Sequence, residues 1–448
     1  MFDLPPIVRG GLGILMLIGV AWALSSHKRK FPIKIVFWAV LLQVGLALLV
    51  LKTEFGRAFF DGIGAIVTVI LKGCDKGAEF VFGPLAGTSD AYSYIQWPAV
   101  AGIKIMSTII VFSMLSSIGY HYGILQRVVA AMAYVLTRLL RVSGAESLSC
   151  AGNVFLGQTE APLLIRPYLP TMTRSELMAV MTGGFATIAM GVMAVYVNFL
   201  GIDDSGMASD ESKRQVARHL LTASLMSAPA AFAMAKVIIP ETETPKTLGT
   251  AKVDLQLETQ NGLDAATHGA SQGMILAINV IAMLIAFIAL IEVVNIGLAR
   301  LGAIESIQPI VESWGMKTLS LQGLLGVVFS PVAYFIGVEW NELHKFGSLL
   351  GTAMATNEFI AYLSLSDMLK ASAAGDVANG ISHRSATLAM YSLCGFANVC
   401  SIGIQIAGIG VLAPSRRGDL VRLAPRAMLG GAMASWMTGC IAGVLTDI

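Results

Sequence analysis

The sequence predicts an all-α polytopic membrane protein, with about eight transmembrane helices, interfacial helices and two re-entrant helical hairpins in inverted repeats. Three observations carry this. The 448 residues are 55% hydrophobic and only 13% charged, against about 25% charged in soluble domains, and the mean hydropathy is +0.73. Eight apolar runs are each long enough to cross a bilayer as a helix. Two acid-bearing elements recur in the same order in the two halves of the chain.

The runs fall at about 5–25, 33–51, 98–118, 175–199, 217–239, 272–300, 384–412 and 424–446, each near the roughly 20 residues that a helix needs to span hydrocarbon. The first is full length and no A-x-A-like site follows it, so it is expected to remain as a span rather than be cleaved. Basic stretches lie at 27–34, 138–141 and 415–426, whereas 201–211 is acidic. With eight spans, one orientation puts every basic loop in the cytoplasm: both termini outside, and the loop at 240–265 inside. Three further apolar segments, 57–72, 122–137 and 318–336, are shorter, basic-edged or broken by Gly and Pro, and read as interfacial helices.

The repeat emerges when the halves are aligned. "GQTEAPLLI" (157–165) is followed by "GGFATIAMG" (183–191), and "ATNEFIAYL" (355–363) by "CGFANVCSIG" (394–403). Each half reads span, shorter apolar segment, acid-bearing run, glycine-broken span, span. Given the orientation, the second copy starts from the opposite side of the membrane. Between Glu160 and Phe185 the polar turn 166–176 lets the chain leave mid-membrane and return. The loop 370–383 does the same between Glu358 and Phe396, so both acids and both Gly-Phe-Ala breaks are expected to converge near the midplane. Irregular backbone at that depth must be buried in protein or line a cavity, and inverted repeats with broken helices are the architecture of secondary transporters.

A charged side chain at the bilayer centre costs roughly 2.5–3.5 kcal/mol on insertion scales. The ordinary explanation would pair each acid with a cation or protonate it within the bundle. Against this, Gln158 and Thr159 adjoin Glu160, Asn357 adjoins Glu358, and no Lys or Arg lies within four positions of either. Five cysteines without a C-x-x-C pair support neither disulfides nor a zinc site, and six scattered histidines offer no metal spacing. A net charge of +2, with its basic residues in short loops, argues against nucleic-acid binding. The 22 methionines read as packing.

At "GQTEAPL" (157–163), "NEF" (357–359) followed by "IAY", "GFAN" (395–398) followed by Ser401, and "RRGD" (416–419), the sequence resembles the concentrative nucleoside transporter family, along essentially its whole length. The match is to the bacterial, core-only form, which implies the cell inner membrane and a homotrimer. The resemblance implies a scaffold over 1–118, a first transport repeat over 119–240 (hairpin 144–171, broken span 175–199), a loop and scaffold span over 241–301, and a second transport repeat over 302–448 (hairpin 341–370, broken span 384–412). It also implies that Gln158, Thr159 and Glu160 face the nucleobase, partly through water, and that Glu358, Asn398 and Ser401 hold the ribose hydroxyls. Val192, Leu276 and Phe396 would supply apolar contacts. Sodium-coupled members use oxygen ligands that fall here on Asn153, the Leu156 carbonyl, Thr187 and the Ile188 carbonyl.

The implied function is cation-coupled symport of a nucleoside such as uridine, with sodium preferred over a proton carried by Glu160 or Glu358. The chemistry stands without the family: carboxylates and amides suit a neutral solute bearing a vicinal diol and an amide-like base. An anionic solute would call for Arg or a helix amino terminus. An intramembrane enzyme would need a nucleophile or metal beside its acids, and the sequence offers neither; no cofactor is expected beyond the co-transported ion.

Overall fold

Among the described residues, seven helices are long and apolar enough to cross a membrane, and they coincide with seven of the eight expected spans. The computed structural model describes residues 4–86, 100–203, 205–249, 259–314 and 316–446. The first two residues of the expected span 98–118 and the middle of the loop 240–265 lie outside them.

The chain opens with α1 (Pro6–Ala23) and α2 (Ile33–Lys52), each started at a proline that fixes the first turn. Helix α3 (Glu54–Phe82) follows, with the Thr53 hydroxyl capping the Gly56 N–H at 3.0 Å. It is longer than the segment expected at 57–72, with 29 residues, and it is not among the helices apolar enough to span. Its charged stripe continues through Asp75 and Glu79, and it is pinned to a later helix by Asp61–Arg218 (2.8 Å) and Lys72–Asp210 (2.5 Å). The other two interfacial segments appear as α5 and α12 below.

The first repeat runs α4 (Ala101–His121), α5 (Ile124–Leu140), α6 (Gly144–Asn153), two short three-ten turns (Ala161–Ile165 and Leu169–Thr171), α7 (Arg174–Ala186), α8 (Met190–Leu200) and α9 (Asp210–Ile238). The second runs α10 (Gly262–Gly302), the short α11 (Gln308–Ser313), α12 (Leu321–Ile336), α13 (Leu343–Ala355), α14 (Glu358–Ala373), α15 (His383–Ser392), α16 (Val399–Leu412) and α17 (Arg417–Leu445). Apart from α11, the helices of the two series match in order, with α14 standing where the first series has its two three-ten turns. The span expected at 384–412 is two short helices separated by Leu393–Asn398, and the span at 175–199 is likewise broken at Thr187–Ala189. The span expected at 272–300 belongs to a 41-residue helix, α10, roughly 60 Å long at 1.5 Å per residue, about twice the hydrocarbon thickness.

Burial divides these helices sharply. The apolar window of α9 is 94% buried and those of α7–α8 and α17 are 83% buried, whereas α1, α2, α4 and α10 are 17–28% buried. Helices α7, α9, α15 and α17 pack on one another and form the centre. The apolar surfaces of α1, α2, α4 and α10 face outward, as lipid contact requires. Close approach needs small residues: a Cβ on Gly273 of α10 would lie 2.8 Å from the Ile110 Cα of α4.

Candidate functional site

The two helix breaks touch. A Cβ on Gly395, in the second break, would lie 2.6 Å from the Phe185 carbonyl oxygen beside the first. The Ser435 hydroxyl of α17 donates to the Cys394 carbonyl at 3.0 Å. The two breaks thus converge as segment arithmetic expects, with the first hairpin fastened to one through Phe155 and Glu358 to the other through Asn398.

The first hairpin begins at α6, whose amino terminus is a capping box: the Ser143 hydroxyl accepts from the Glu146 N–H, and Glu146 accepts from the Ser143 N–H at 2.7 Å. The tip turns at Gly157, whose φ of +97° lies in the region that disfavours any side chain. A Cβ there would also meet the Ala189 Cβ at 3.0 Å. The Met190 N–H donates to the Phe155 carbonyl at 3.2 Å, fastening the tip to the first break. Gln158 is buried, whereas Thr159 and Glu160 are exposed. Pro162 then sits in the first three-ten turn.

Two helix amino termini, one in the second hairpin and one at the second break, meet at one carboxylate. Asn357 caps α14, its side chain accepting from the Ile360 N–H at 3.0 Å, and Glu358 is the first residue of that helix. Asn398 caps α16, accepting from the Ser401 N–H at 2.8 Å, and its Nδ2 donates to Glu358 Oε2 at 2.9 Å. The hydroxyl of Tyr196, on α8, donates to Glu358 Oε1 at 3.0 Å. Glu358, 4% exposed, therefore has neutral donors and the positive ends of helix dipoles around it.

The halves are joined at a second point. Gln158 Nε2 donates to Ser401 Oγ at 3.3 Å, and Gln405 Nε2 donates to Gln158 Oε1 at 3.0 Å and to the Met181 carbonyl at 3.1 Å. Gln158, Ser401, Asn398 and Glu358 thus form one chain of polar contacts across the two repeats. Val192 is buried on α8, and Phe396 is partly buried within the second break. Leu276 lies apart from this buried network, 39% exposed on α10.

Asn153, the last residue of α6, is fully buried, and neither its Oδ1 nor its Nδ2 has a hydrogen-bond partner. Such orphaned groups are costly and fit a hard cation's need for oxygen. Thr187 and Ile188 stand in the first break, both buried. The Thr187 hydroxyl donates to the Gly183 carbonyl at 2.9 Å, which leaves its oxygen lone pairs free to accept.

Sequence reasoning missed Tyr196 and Gln405. Each lies six residues past the start of its half-helix, Met190 and Val399. Their signal was present: each is a polar group in a nearly unbroken apolar run, "MGVMAVYVNFL" and "SIGIQIAGIG". It also missed the buried cluster at the base of the first hairpin, where Lys236 Nζ lies 2.6 Å from Glu146 and 3.7 Å from Glu241. The "RRGD" motif has a structural role at the same end. Arg416 and Arg174 each bind Asp419 at 3.0 Å, and Arg416 donates to the Met172 carbonyl in the turn after the first hairpin.

Comparison with known proteins agrees with this geometry. Family models described as the Na+ dependent nucleoside transporter C-terminus, its N-terminus and nucleoside recognition (Gate) match residues 219–443, 12–85 and 102–203. The chain is 39% identical over 442 residues to solute carrier family 28 member 3 of Rattus norvegicus, covering 97% of this chain but 58% of that longer protein. It is 38% identical to the uncharacterized transporter YutK of Bacillus subtilis (strain 168), covering 98% of this chain and 99% of that one. Among solved structures, CNTnw in an inward-facing substrate-bound state superposes with a TM-score of 0.86 at 34% identity, over 99% of this chain and 98% of that one. A substituted CNTnw in an outward-facing state gives 0.85 at 34% identity, over 99% of each chain. The family models together run from residue 12 to residue 443, and the chain belongs to the concentrative nucleoside transporter family.

Proposed function

We propose that the protein carries nucleosides into the cell, coupled to sodium, by alternating access, and is a multi-pass protein of the inner membrane that assembles as a homotrimer. The observation that carries the reading is the polar chain Gln158–Ser401–Asn398–Glu358, which crosses the two hairpins beside an unpartnered buried Asn153. Glu358 and Asn398 offer an acceptor and a donor to vicinal ribose hydroxyls, with Ser401 beside them. Gln158, Thr159 and Glu160 face the base, and Val192 and Phe396 supply apolar surface, with Leu276 joining only if α10 closes on the site. Asn153, the Leu156 carbonyl, Thr187 and the Ile188 carbonyl hold the sodium ion. One inward charge contributes about 2.3 kcal/mol per 100 mV, enough to accumulate a neutral solute roughly fiftyfold.

The reading is also supported by relatives named as sodium/nucleoside cotransporters, such as sodium/nucleoside cotransporter 1 of Rattus norvegicus, 38% identical over 440 residues that make up 97% of this chain and 63% of that protein. Proteoliposomes with labelled uridine test it. Accumulation that needs an inward sodium gradient is the expected result. Accumulation driven by an acid-outside gradient and indifferent to sodium overturns the sodium assignment, and failure to accumulate any nucleoside overturns the whole.

A further inference from the structure

The network that joins the hairpins contains one member the transport reading does not use. Gln405 is 1% exposed, lies in the middle of α16, and touches the first hairpin rather than the second. The Met181 carbonyl is backbone and can only accept, so it fixes which end of the Gln405 amide faces α7: the nitrogen, at 3.1 Å. That same nitrogen then faces Gln158 at 3.0 Å and so must meet the Gln158 oxygen. The Gln158 nitrogen is left to donate to Ser401 at 3.3 Å. A backbone carbonyl of α7 thus orients two side-chain amides in sequence.

Space for this pair depends on Gly184. A Cβ there would lie 2.7 Å from Gln405 Nε2 and 3.0 Å from the Gln158 Cβ. The arrangement is therefore built into three elements: the glycine of α7, the glutamine of α16 and the tip of the first hairpin. It also leaves Gln405 Oε1 buried without a partner, so the Gln405 amide is held through its nitrogen alone.

We propose that Gln405 is a specificity-determining positioning residue for the nucleobase, holding the Gln158 amide so that the first hairpin presents an N–H donor to the base. This rests on the proposed nucleoside site. With its oxygen engaged by Gln405 and one N–H on Ser401, Gln158 has its second N–H to offer. An amide is a donor at one end and an acceptor at the other, so whichever end is held outward decides which base edge pairs. Uracil and cytosine differ in this respect: at ring position 4 one carries an oxygen acceptor and the other an amino donor, and the ring nitrogen beside it has the opposite change. A base that mismatches a buried, oriented donor leaves that donor unpaired, and such sites discriminate strongly. Released from Gln405, the Gln158 amide turns to suit either base.

The test uses the full chain, purified, with calorimetric titration of uridine, cytidine and 2′-deoxyuridine. Gln405→Met keeps the volume and shape of an unbranched side chain while removing the amide. It is expected to change the uridine-to-cytidine affinity ratio at least fivefold toward unity, and to leave the uridine-to-2′-deoxyuridine ratio within twofold of the parent. In a Gln158→Ala background the same substitution is expected to change nothing further. Gly184→Ala, which crowds the pair from α7, is expected to move the base ratio in the same direction, and it serves if Gln405→Met proves poorly folded. A base ratio unchanged within twofold in both variants, or an equal change with Gln158 absent, overturns the inference while leaving the nucleoside site intact. A parent protein that binds none of the three nucleosides overturns the site and the inference together.

Discussion

The two hairpins share a place in the repeat but are built by different means. The first turns on a left-handed glycine, Gly157, and comes back in short three-ten turns, leaving Thr159 and Glu160 exposed. The second turns between two full helices and puts its acid at the first position of α14, buried and held by Tyr196 and Asn398. A helix amino terminus favours a carboxylate, so Glu358 is stabilised by its own backbone, whereas Glu160 has only a three-ten turn behind it and stays in contact with open space. The same contrast holds at the bases. The first is fastened by a buried ion pair, Lys236 with Glu146, at 2% and 1% side-chain exposure. The second is fastened by hydrogen bonds, with Glu342 accepting from the Ser382 N–H at 2.7 Å and from its hydroxyl at 2.8 Å. One topology thus supports an exposed acid above an ionic anchor and a buried acid above a hydrogen-bonded one.

The largest expected effect breaks the comparison at the bases. Lys236→Met leaves Glu146 buried without its cation, and removing one partner of a buried pair costs about 3–5 kcal/mol. Glu342→Gln keeps an acceptor for Ser382 and is expected to cost about 1–2 kcal/mol. Thermal unfolding of the purified variants checks this. Equal losses would mean that the ion pair is no more of an anchor than the hydrogen bonds.

Next come the tips. Glu358→Gln removes a buried charge that accepts from two neutral donors, and hydrogen bonds to charged groups contribute about 1.5–3 kcal/mol. Uridine affinity should fall roughly 10- to 150-fold, with Asn398→Ala similar and the protein still folded. Glu160→Gln, at an exposed position, should cost less than about tenfold. Titration of both variants decides, and a greater loss at Glu160 would reverse the assignment of the buried acid as the principal solute contact. Smaller still, Asn153→Ala and Thr187→Val each remove one side-chain oxygen from the proposed ion site. Loss of about 1.4 kcal/mol raises the half-saturating sodium roughly tenfold, measured in uptake at saturating uridine. Unchanged sodium dependence in both variants would separate the orphaned amide of Asn153 from ion binding.

Much of this was legible beforehand for physical reasons. Spans announce themselves because hydrocarbon tolerates few charges, and the hairpin tips because Gly157, Pro162, Glu160 and Glu358 are each unusual at that depth. The grouping of Glu358, Asn398 and Ser401 came from the family resemblance of "NEF" and "GFAN", and the structure adds that Asn398 caps α16 at the Ser401 N–H. Tyr196 and Gln405 were passed over despite standing out in apolar runs, since a lone polar group on an apolar helix is more often satisfied locally, and their partners lie 162 and 247 positions away. The Lys236–Glu146 anchor was hidden likewise. The length of α3 was underread because charges such as Asp75 and Glu79 ended the apolar run without ending the helix. The length of α10 was underread because only its most apolar stretch was counted.

The smallest expected effect concerns how Glu358 is held. Tyr196 does two things at once: its ring packs on Phe359 (centroids 4.9 Å apart) and on Tyr362 (4.2 Å, 26° between planes), and its hydroxyl binds Glu358. Tyr196→Phe keeps the ring and removes only the hydroxyl, so the packing of α8 on α14 should survive and thermal stability should shift little. What changes is the carboxylate. With Asn398 alone, Glu358 Oε1 loses its donor and the side chain is free to rotate, so part of the binding energy goes to fixing it again. A neutral hydrogen bond contributes about 0.5–1.5 kcal/mol, which corresponds to a loss in uridine affinity of roughly two- to twelvefold, with no change in the preference between bases. A carboxylate oxygen has two lone pairs, so Tyr196 need not be displaced for a ribose hydroxyl to bind. If titration instead shows tighter uridine binding in Tyr196→Phe, the tyrosine and the solute compete for the same lone pair, and Tyr196 holds Glu358 as a stand-in for the ribose.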